Sequence, residues 1–409
     1  MSKAVTILPR TLLSGAIEHL PASKSLSNRA LIINALAGGK ATLMNLSDAN
    51  DTVLMQRLLH TPSDVIDVED AGTVMRFLTA YFATTNQAKK LSGTNRMHKR
   101  PVRDLVDALR TLGANVVYEG EDGFPPLRLR GFREQRTQTL SIRGDVSSQF
   151  ISALMMIGPA LPKGLVLKLK GRILSRPYLQ MTAELMRYFG IPVEWEFNTI
   201  YVPAGRYQPV TYWVESDWSA TSYWFSFVAL AQSASLFIPD VAAKSLQGDR
   251  VVVEIMEQLG VRASFNKAGL QLAKGGAPVK HLTVDFSDCP DLAQTVIPAC
   301  AALRVPGTFS GIESLRIKET DRITALANEL SKIGAKLTGE DGKWDLQPGN
   351  PGEMPSTLTI ETYGDHRMAM GFAPFATKTN LVILDGQVVR KSYPNFWSDV
   401  AAIGFFTSD

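Results

Sequence analysis

Between Arg316 and Arg322 the chain reads Arg-Ile-Lys-Glu-Thr-Asp-Arg. Three cations and two carboxylates lie within one short stretch, just before a helical apolar pattern at Ile323, Leu326, Leu330 and Ile333. Cations at a helix N-terminus oppose the macrodipole and repel one another unless an anion joins them. The stretch therefore reads as an anion site that contains an acid/base carboxylate, Glu319. A solvated turn is the competing reading for these residues alone. Asp291 and Asp365-His366-Arg367 also stand in the C-terminal half. His366 is compatible with a ligand, an acid or a core histidine.

In the N-terminal half the chemistry-bearing groups are cations and hydroxyls. They are Lys24-Ser25-Leu26-Ser27-Asn28-Arg29, Arg96 and Ser147-Ser148-Gln149. Serines beside helix N-terminal amides bind phosphate without adding charge, and arginines add a bidentate grip. Plain N-capping of a core helix is the alternative for any one Ser-Ser pair. Lys24, Arg29, Arg96, Arg322, Arg367 and Lys391 are isolated cations in otherwise neutral stretches. With Asp291 and Glu319 they suggest one dianion, or two anions, held beside two carboxylates. That is equipment for moving protons near a phosphorylated substrate. The five histidines form no His/Cys/carboxylate cluster, which argues against catalytic zinc. Neither a P-loop nor a G-x-G-x-x-G after a strand occurs, so neither nucleotide motif is expected.

Two recurring signals say what must position these groups. Amphipathic helical patterns end on Gly113, Gly190, Gly260, Gly334 and Gly404, each suited to a left-handed C-cap. Polar clusters at Lys24, Gly72, Ser147, Asp217-Trp218-Ser219, Asp291 and Asp365 open small apolar helices. Beyond the first, both signals recur roughly every 70–77 residues, which predicts six copies of a strand-helix-strand-helix-hairpin unit. The first copy is short. Asp51–Asp70 has room for a helix over 53–59 and one strand, but not for a hairpin. The sixth copy is expected to end after its helix with no strand following. The β-prone Ala4–Pro9 segment is expected to fill the gap and join the two termini in one domain.

The expected domains are 21–214 and 1–20 plus 215–409, with crossovers near Pro21 and Tyr212–Ser216 and a ligand cleft between them. Composition agrees with an α/β protein of this size. The 409 residues are 45% hydrophobic and 20% charged, with a formal charge of +4. That balance permits small anionic substrates but does not favour nucleic acid. The two cysteines, Cys289 and Cys300, give no disulfide framework, so a reducing cytoplasm is expected. Neither a signal-peptide pattern nor a long apolar run suggests a membrane partner.

Taken together, these stretches resemble the 5-enolpyruvylshikimate-3-phosphate (EPSP) synthase family of enolpyruvyl transferases. The resemblance rests on Leu20 to Ala30, Ala71 to Arg76, Arg96-Met97 through Arg100-Pro101 and Val146 to Phe150. It continues through Ser175 to Tyr178, Gln247-Gly248-Asp249, Pro290-Asp291, Leu315 to Arg322, Gly364 to Ala369 and Lys391 to Pro394. These run in the family's order over nearly the whole chain. The resemblance implies two domains of three βαβαββ units each, an inside-out α/β barrel with its first unit truncated here. It implies transfer of the enolpyruvyl group of phosphoenolpyruvate to the 5-hydroxyl of shikimate 3-phosphate, with phosphate released, in aromatic amino acid (chorismate) biosynthesis. No metal or organic cofactor is implied.

Carried over by position, Lys24, Ser25, Arg29, Ser147, Ser148, Gln149, Ser175, Tyr178, Asp291 and Lys318 would hold shikimate 3-phosphate. Lys24, Gly72, Arg96, Gln149, Arg322, His366, Arg367 and Lys391 would hold phosphoenolpyruvate. The 21–214 domain would bind mainly the phosphoshikimate, and the other would carry Asp291, Glu319 and much of the phosphoenolpyruvate site. Asp291 would orient or deprotonate the attacking hydroxyl, Glu319 would protonate the methylene carbon, and Lys24 would neutralise the leaving phosphate. A monomer that closes on its substrates and is sensitive to glyphosate is expected.

Four features depart from the family's pattern. Asp70 stands where asparagine is usual, and an added carboxylate beside a dianion weakens binding unless it is protonated or paired, with Arg76 or a lysine as the expected partner. Phe77 stands where proline is common, Ser314 replaces a frequent asparagine, and the first unit lacks its hairpin. Two rival readings remain. The sister transferase acting on UDP-N-acetylglucosamine typically has Lys-Asn where this chain has Lys24-Ser25. A non-catalytic anion-binding module would gain nothing from buried carboxylates such as Asp291 and Glu319.

Overall fold

A computed structural model describes residues 3–340, 342–350 and 352–408. The chain divides into two compact units. One comprises Ser23–Ser47 and Asp51–Val214, and is called here the Lys24 unit. The other, the Asp291 unit, comprises Met1–Ala22, Asp48–Asn50 and Glu215–Asp409.

Two strands open the chain, β1 (Val5–Ile7) and β2 (Leu12–Ala16), and both belong to the Asp291 unit. The Lys24 unit begins with α1 (Lys24–Leu36), β3 (Thr42–Met44) and α2 (Asn50–Leu59). Its second repeat shows the full rule: β4 (Val65–Asp67), α3 (Gly72–Thr84), β5 (Lys89–Ser92), α4 (Arg103–Leu112), β6 (Ala114–Tyr118) and β7 (Leu127–Phe132). They form a sheet in the order β4-β5-β7-β6, parallel between β4 and β5 and antiparallel thereafter. The third repeat repeats it with β8 (Thr139–Arg143), α5 (Ser148–Ile157), β9 (Leu165–Lys170), α6 (Arg176–Tyr188), β10 (Glu194–Glu196) and β11 (Thr199–Val202). The unit closes with β12 (Thr211–Trp213), which pairs in parallel with β3.

The Asp291 unit continues with α7 (Trp218–Leu230), β13 (Ser233–Pro239), α8 (Val252–Glu257), β14 (Val261–Asn266) and β15 (Gly269–Lys274). Next come β16 (Leu282–Asp285), α9 (Ala293–Leu303), β17 (Gly307–Ser310), α10 (Arg322–Ser331), β18 (Lys336–Glu340) and β19 (Lys343–Gln347). The last repeat is β20 (Thr357–Ile360), α11 (His366–Phe372), β21 (Asn380–Ile383), α12 (Phe396–Ala402) and β22 (Thr407–Ser408). Among the described residues there are five four-stranded sheets and one two-stranded sheet. The short one, β12-β3, is the first repeat without its hairpin.

Each repeat contributes one helix that is apolar nearly all round and one that is amphipathic. In α3 and α5 almost every residue is buried, and α1, α3 and α5 pack on one another. Helices α7, α9 and α11 do the same in the other unit. A helix hydrophobic on all faces must sit inside, so the sheets lie outside. By contrast α4 buries only Leu105, Val106, Leu109 and Leu112, one stripe at helical spacing. It ends on Gly113 at φ +117°, where a Cβ would lie 2.1 Å from the Glu134 carbonyl oxygen. Only glycine meets both demands. Gly190, Gly260, Gly334 and Gly404 also have positive φ.

The N-terminal segment supplies a strand to the sixth repeat as expected: β1 lies between β21 and β22. One expectation is corrected here. The sixth repeat does have a strand after its helix, because Thr407 and Ser408 pair with Ile7 and Thr6. Two residues are too few to show strand periodicity. The chain also exchanges strands. The strand just before α1, β2, pairs with β13, whereas the strand just before α7, β12, pairs with β3. No helix among the described residues is long and apolar enough to cross a membrane.

Candidate active site

In the Asp291 unit the functional side chains stand at helix starts. A turn at Pro290–Leu292 leads into α9 and carries Asp291. Another turn, Glu313–Ile317, leads through Lys318 and Glu319 to α10. Asp321 caps α10 by accepting from Ile323 and Thr324 N–H, and Asp365 caps α11 by accepting from Arg367 N–H at 2.9 Å. These caps aim Arg322, His366 and Arg367 from the first residues of their helices.

Arg322, 1% exposed, is the centre of the cluster. Its Nε donates to Asp365 Oδ2 at 2.7 Å, its Nη1 to Asp291 Oδ1 at 2.9 Å and its Nη2 to Glu319 Oε2 at 2.9 Å. Arg367 Nη2 donates to Asp291 Oδ2 at 2.9 Å and Nη1 to Tyr223 Oη at 3.2 Å. Lys391 Nζ stands 3.8 Å from Glu319 Oε1, and buried His366 has Nδ1 3.7 Å from Asp365 Oδ1. Burial alone would raise the Asp291 carboxyl, but Arg367, Lys318 and Arg322 outweigh it and hold it well below the usual carboxylate range. Burial lowers Lys318 despite the nearby Asp291 charge. Burial also opposes the charge on Arg322, yet Asp365, Glu319 and Asp291 hold it above its ordinary value.

Behind this cluster, Ser219 Oγ bridges Arg367 Nη2 and the buried Asp249, which accepts from the hydroxyl. Burial, then the Asp291 charge, pushes the Asp249 carboxyl up to about 7, with Arg367 opposing. Asp249 and Tyr223 were given no role by sequence reasoning, and Ser219 and Asp365 only that of opening a helix. Gln247-Gly248-Asp249 and Asp365-His366-Arg367 were visible as motifs. A motif does not tell which of its carboxylates turns inward.

The Lys24 unit gathers its groups differently. Lys24, the first residue of α1, has Nζ 3.4 Å from Asp51 Oδ2. Arg29 is buried without a carboxylate partner among the described residues. Its Nη1 donates to the Ser25 carbonyl at 2.9 Å, its Nε to Thr182 Oγ1 at 2.7 Å and its Nη2 to Ser152 Oγ at 3.1 Å. The guanidinium also lies over the Phe77 and Tyr178 rings, 5.4 and 5.9 Å from their centroids. Burial lowers its pKa to about 10, against the influence of Tyr178. A cation so placed is a ready partner for an incoming anion. Tyr178 sits in the first turn of α6, whose preceding residue, Ser175, has φ +54°. That left-handed geometry is unusual for serine and is held by the turn, Tyr178 N–H donating to the Ser175 carbonyl at 3.0 Å.

At α5 the Ser147 side chain makes no cap hydrogen bond, so the plain N-cap reading does not hold there. Ser148 opens the helix, and Gln149 bridges to α3: Arg76 Nη1 donates to its Oε1 at 2.8 Å and its Nε2 to Thr73 Oγ1 at 2.9 Å. Gly72, the first residue of α3, makes room for arginines. A Cβ there would lie 2.6 Å from both Arg76 Nη1 and Arg100 Nη1. Arg96 and Arg100 flank the turn Met97–Lys99. Asp70 accepts from the Thr94 hydroxyl, and Arg76 has Gln149 as a partner.

A profile of the family described as EPSP synthase (3-phosphoshikimate 1-carboxyvinyltransferase) matches residues 8–61 and 54–400. The 3-phosphoshikimate 1-carboxyvinyltransferase of Bacteroides fragilis strain YCH46 is 47% identical over 392 residues, covering 95% of each chain. The chain belongs to the EPSP synthase family. The enzyme of the same name from Idiomarina loihiensis is 37% identical over 434 residues, covering 98% of this chain and 99% of its own. In fold, the chain is similar to the 2.37 Å structure of EPSP synthase from Acinetobacter baumannii. The TM-score is 0.79 at 20% identity, over 99% of this chain and 100% of that one. Within this family member the fold accounts for one cluster in each unit: six of the expected groups meet around Arg322 and Arg367, and Arg29, Ser25 and Tyr178 meet at α1 and α6.

Proposed function

We propose that this chain transfers the enolpyruvyl group of phosphoenolpyruvate to the 5-hydroxyl of shikimate 3-phosphate, releasing phosphate. The observation that carries this reading is the ionised Asp291 carboxylate, held between Arg322 and Arg367 beside Glu319. In the proposed reaction the 5-hydroxyl oxygen bonds to C2 of phosphoenolpyruvate while the methylene carbon takes a proton from Glu319. The resulting methyl group then returns a proton as the C2–O bond to phosphate breaks, which regenerates the enol ether. Asp291 orients the hydroxyl and accepts its proton. In the free protein its low pKa suits orientation. Bound dianions share the pull of Arg367 and Lys318, the two cations that lower it most, and this raises its basicity.

Lys24, Gly72, Arg96, Gln149, Arg367, His366 and Lys391 are assigned to phosphoenolpyruvate. Ser25, Arg29, Ser147, Ser148, Ser175, Tyr178 and Lys318 are assigned to shikimate 3-phosphate, with Lys24 neutralising the departing phosphate. Arg322, already spent on three carboxylates, chiefly positions Asp291 and Glu319. We read the protein as a cytoplasmic monomer on which glyphosate competes with phosphoenolpyruvate. Sedimentation of the purified protein checks the monomer, and inhibition kinetics check the competition.

Phosphate release from phosphoenolpyruvate tests the function, with shikimate 3-phosphate and UDP-N-acetylglucosamine as separate acceptors. Release with shikimate 3-phosphate alone is expected. Release with the sugar nucleotide alone, or with neither, would overturn the reading.

A further inference from the structure

Asp249 takes no part in the function described so far, although its motif, Gln247-Gly248-Asp249, is among the stretches that carry the family resemblance. It sits on a short turn, Gly248–Val251, just before α8, and is 3% exposed. Its Oδ2 accepts from the Ser219 hydroxyl. Its Oδ1 is buried and has no hydrogen-bond partner among the described residues. Two guanidiniums pair with Asp291, whereas no ion pair among the described residues reaches Asp249.

The neighbourhood disfavours a charge at this point. Asp217 and Ser219 face Asp249 from the start of α7, Cys289 and Asp291 from the turn leading into α9, and Arg367 from α11. Two of these are carboxylates, and the one cation already donates to Asp291 at 2.9 Å. A buried carboxyl with one neutral partner and two carboxylates nearby holds its proton more tightly than an exposed one.

The motif itself fixes where Asp249 stands. Gln247 Oε1 accepts from Trp218 N–H at 3.0 Å, and its Nε2 donates to the Ser216 carbonyl at 2.8 Å. This ties the turn to the start of α7, where Ser219 lies. A hydroxyl has one hydrogen to give and two lone pairs. Ser219 gives its hydrogen to Asp249, which leaves its lone pairs for Arg367 Nη2 at 3.3 Å. On the other arm of the guanidinium, Nη1 donates to Tyr223 Oη at 3.2 Å. Without Asp249 the Ser219 hydroxyl loses the acceptor that orients it, and its grip on Nη2 weakens.

We infer that Asp249 is a positioning residue for Arg367, holding the Ser219 hydroxyl as an uncharged acid while phosphoenolpyruvate is bound. The inference rests on the enolpyruvyl-transfer reading, which assigns Arg367 to that substrate. An ionised Asp249 would join Asp291 and Asp217 in repelling the arriving anion. By linkage, the bound anion tightens the hold of Asp249 on its proton. The raised carboxyl described above, at about 7, agrees with this.

The test is steady-state kinetics of the full-length protein, with each substrate varied at saturation of the other. At about pH 6, where Asp249 is neutral, Asp249→Ala should raise KM for phosphoenolpyruvate about 3- to 10-fold, the loss of one hydrogen bond. Ser219→Ala should do the same. The double variant should stay within about twofold of either single, because both remove the same link. KM for shikimate 3-phosphate should move less than about twofold in all three. Asp249→Asn keeps an acceptor for Ser219 and cannot ionise, so it should match wild type at about pH 6. Between about pH 6 and 8, KM for phosphoenolpyruvate in wild type should rise about 3- to 10-fold relative to Asp249→Asn. A merely structural role would produce neither the coupling nor that pH difference. Should Asp249→Ala not fold, the pH profile of Asp249→Asn carries the test. Effects that multiply in the double variant, Michaelis constants that rise together, or parallel pH profiles would overturn the inference. A wild-type protein inactive with phosphoenolpyruvate and shikimate 3-phosphate would instead remove the functional reading beneath it.

Discussion

In the Asp291 unit, aspartates cap the helices that carry the chemistry: Asp217 on α7, Asp321 on α10 and Asp365 on α11. In the Lys24 unit, α3 follows Ala71 and α5 follows Ser147, and neither has a side-chain cap bond. The inner helices thus start in different ways: α7 and α11 on capping aspartates, α1 on Ser23, and α3, α5 and α9 with no side-chain cap. One unit neutralises its arginines with its own carboxylates. The other leaves Arg29 without a carboxylate among the described residues, and the amides at the starts of α3 and α5 without a side-chain cap. The first arrangement ties catalytic charge to folding stability, because removing one partner strands others. The second ties it to ligand affinity, because the ligand is the missing partner.

The largest expected effect breaks the first arrangement. Arg322→Leu leaves Asp291, Glu319 and Asp365 without their shared cation and should cost about 3–5 kcal/mol of unfolding free energy in urea titrations. Loss below about 1 kcal/mol would show that the carboxylates find other partners. Next is the chemical step itself. Glu319→Gln should lower kcat about 10²- to 10⁴-fold while the urea midpoint stays close to wild type. Full turnover in that variant would remove Glu319 from the reaction.

Arg29→Met sharpens the contrast. Arg29 has hydroxyl and carbonyl partners, so its loss strands no charge. KM for shikimate 3-phosphate should rise about 10- to 100-fold. The stability cost should be well below that of Arg322→Leu. Equal costs would erase the distinction between the units.

The smallest effect is a pH dependence. The native Asp249 pKa of about 7 lies above its ordinary 3.8, so the folded state holds that proton more tightly. Its contribution favours folding at low pH and is lost as pH rises through about 7. Asp249→Asn should therefore gain stability over wild type as pH climbs from 5 to 8, read from thermal midpoints. A constant difference across that range would mean that Asp249 is ionised throughout.

Much of this was legible in the sequence where a rule acts locally. Gly113, Gly190, Gly260, Gly334 and Gly404 marked left-handed caps because a backbone angle, rather than a distant contact, selects glycine. The short first repeat was visible as missing length. Asp291, Glu319 and Arg322 stood out as charges in apolar or helix-starting contexts. What escaped was long-range. Asp249 reaches Arg367 through Ser219, and Arg76 reaches Gln149, over sequence distances that no periodicity spans. The expected ambiguity at Ser147 resolved only in three dimensions, since N-capping depends on a rotamer. The strand β22 escaped because pairing with β1, not its own pattern, makes it a strand.

The placement of β1 between β21 and β22 also sets a timetable for synthesis. The residues at Val5–Ile7 leave the ribosome long before their strand neighbours, which begin at Asn380. At about 5–20 residues per second, the first strand waits roughly 20–75 s for its sheet. The Lys24 unit needs nothing beyond Val214 and can fold during that wait. Nascent-chain proteolysis should find it protected while β1 remains cleavable.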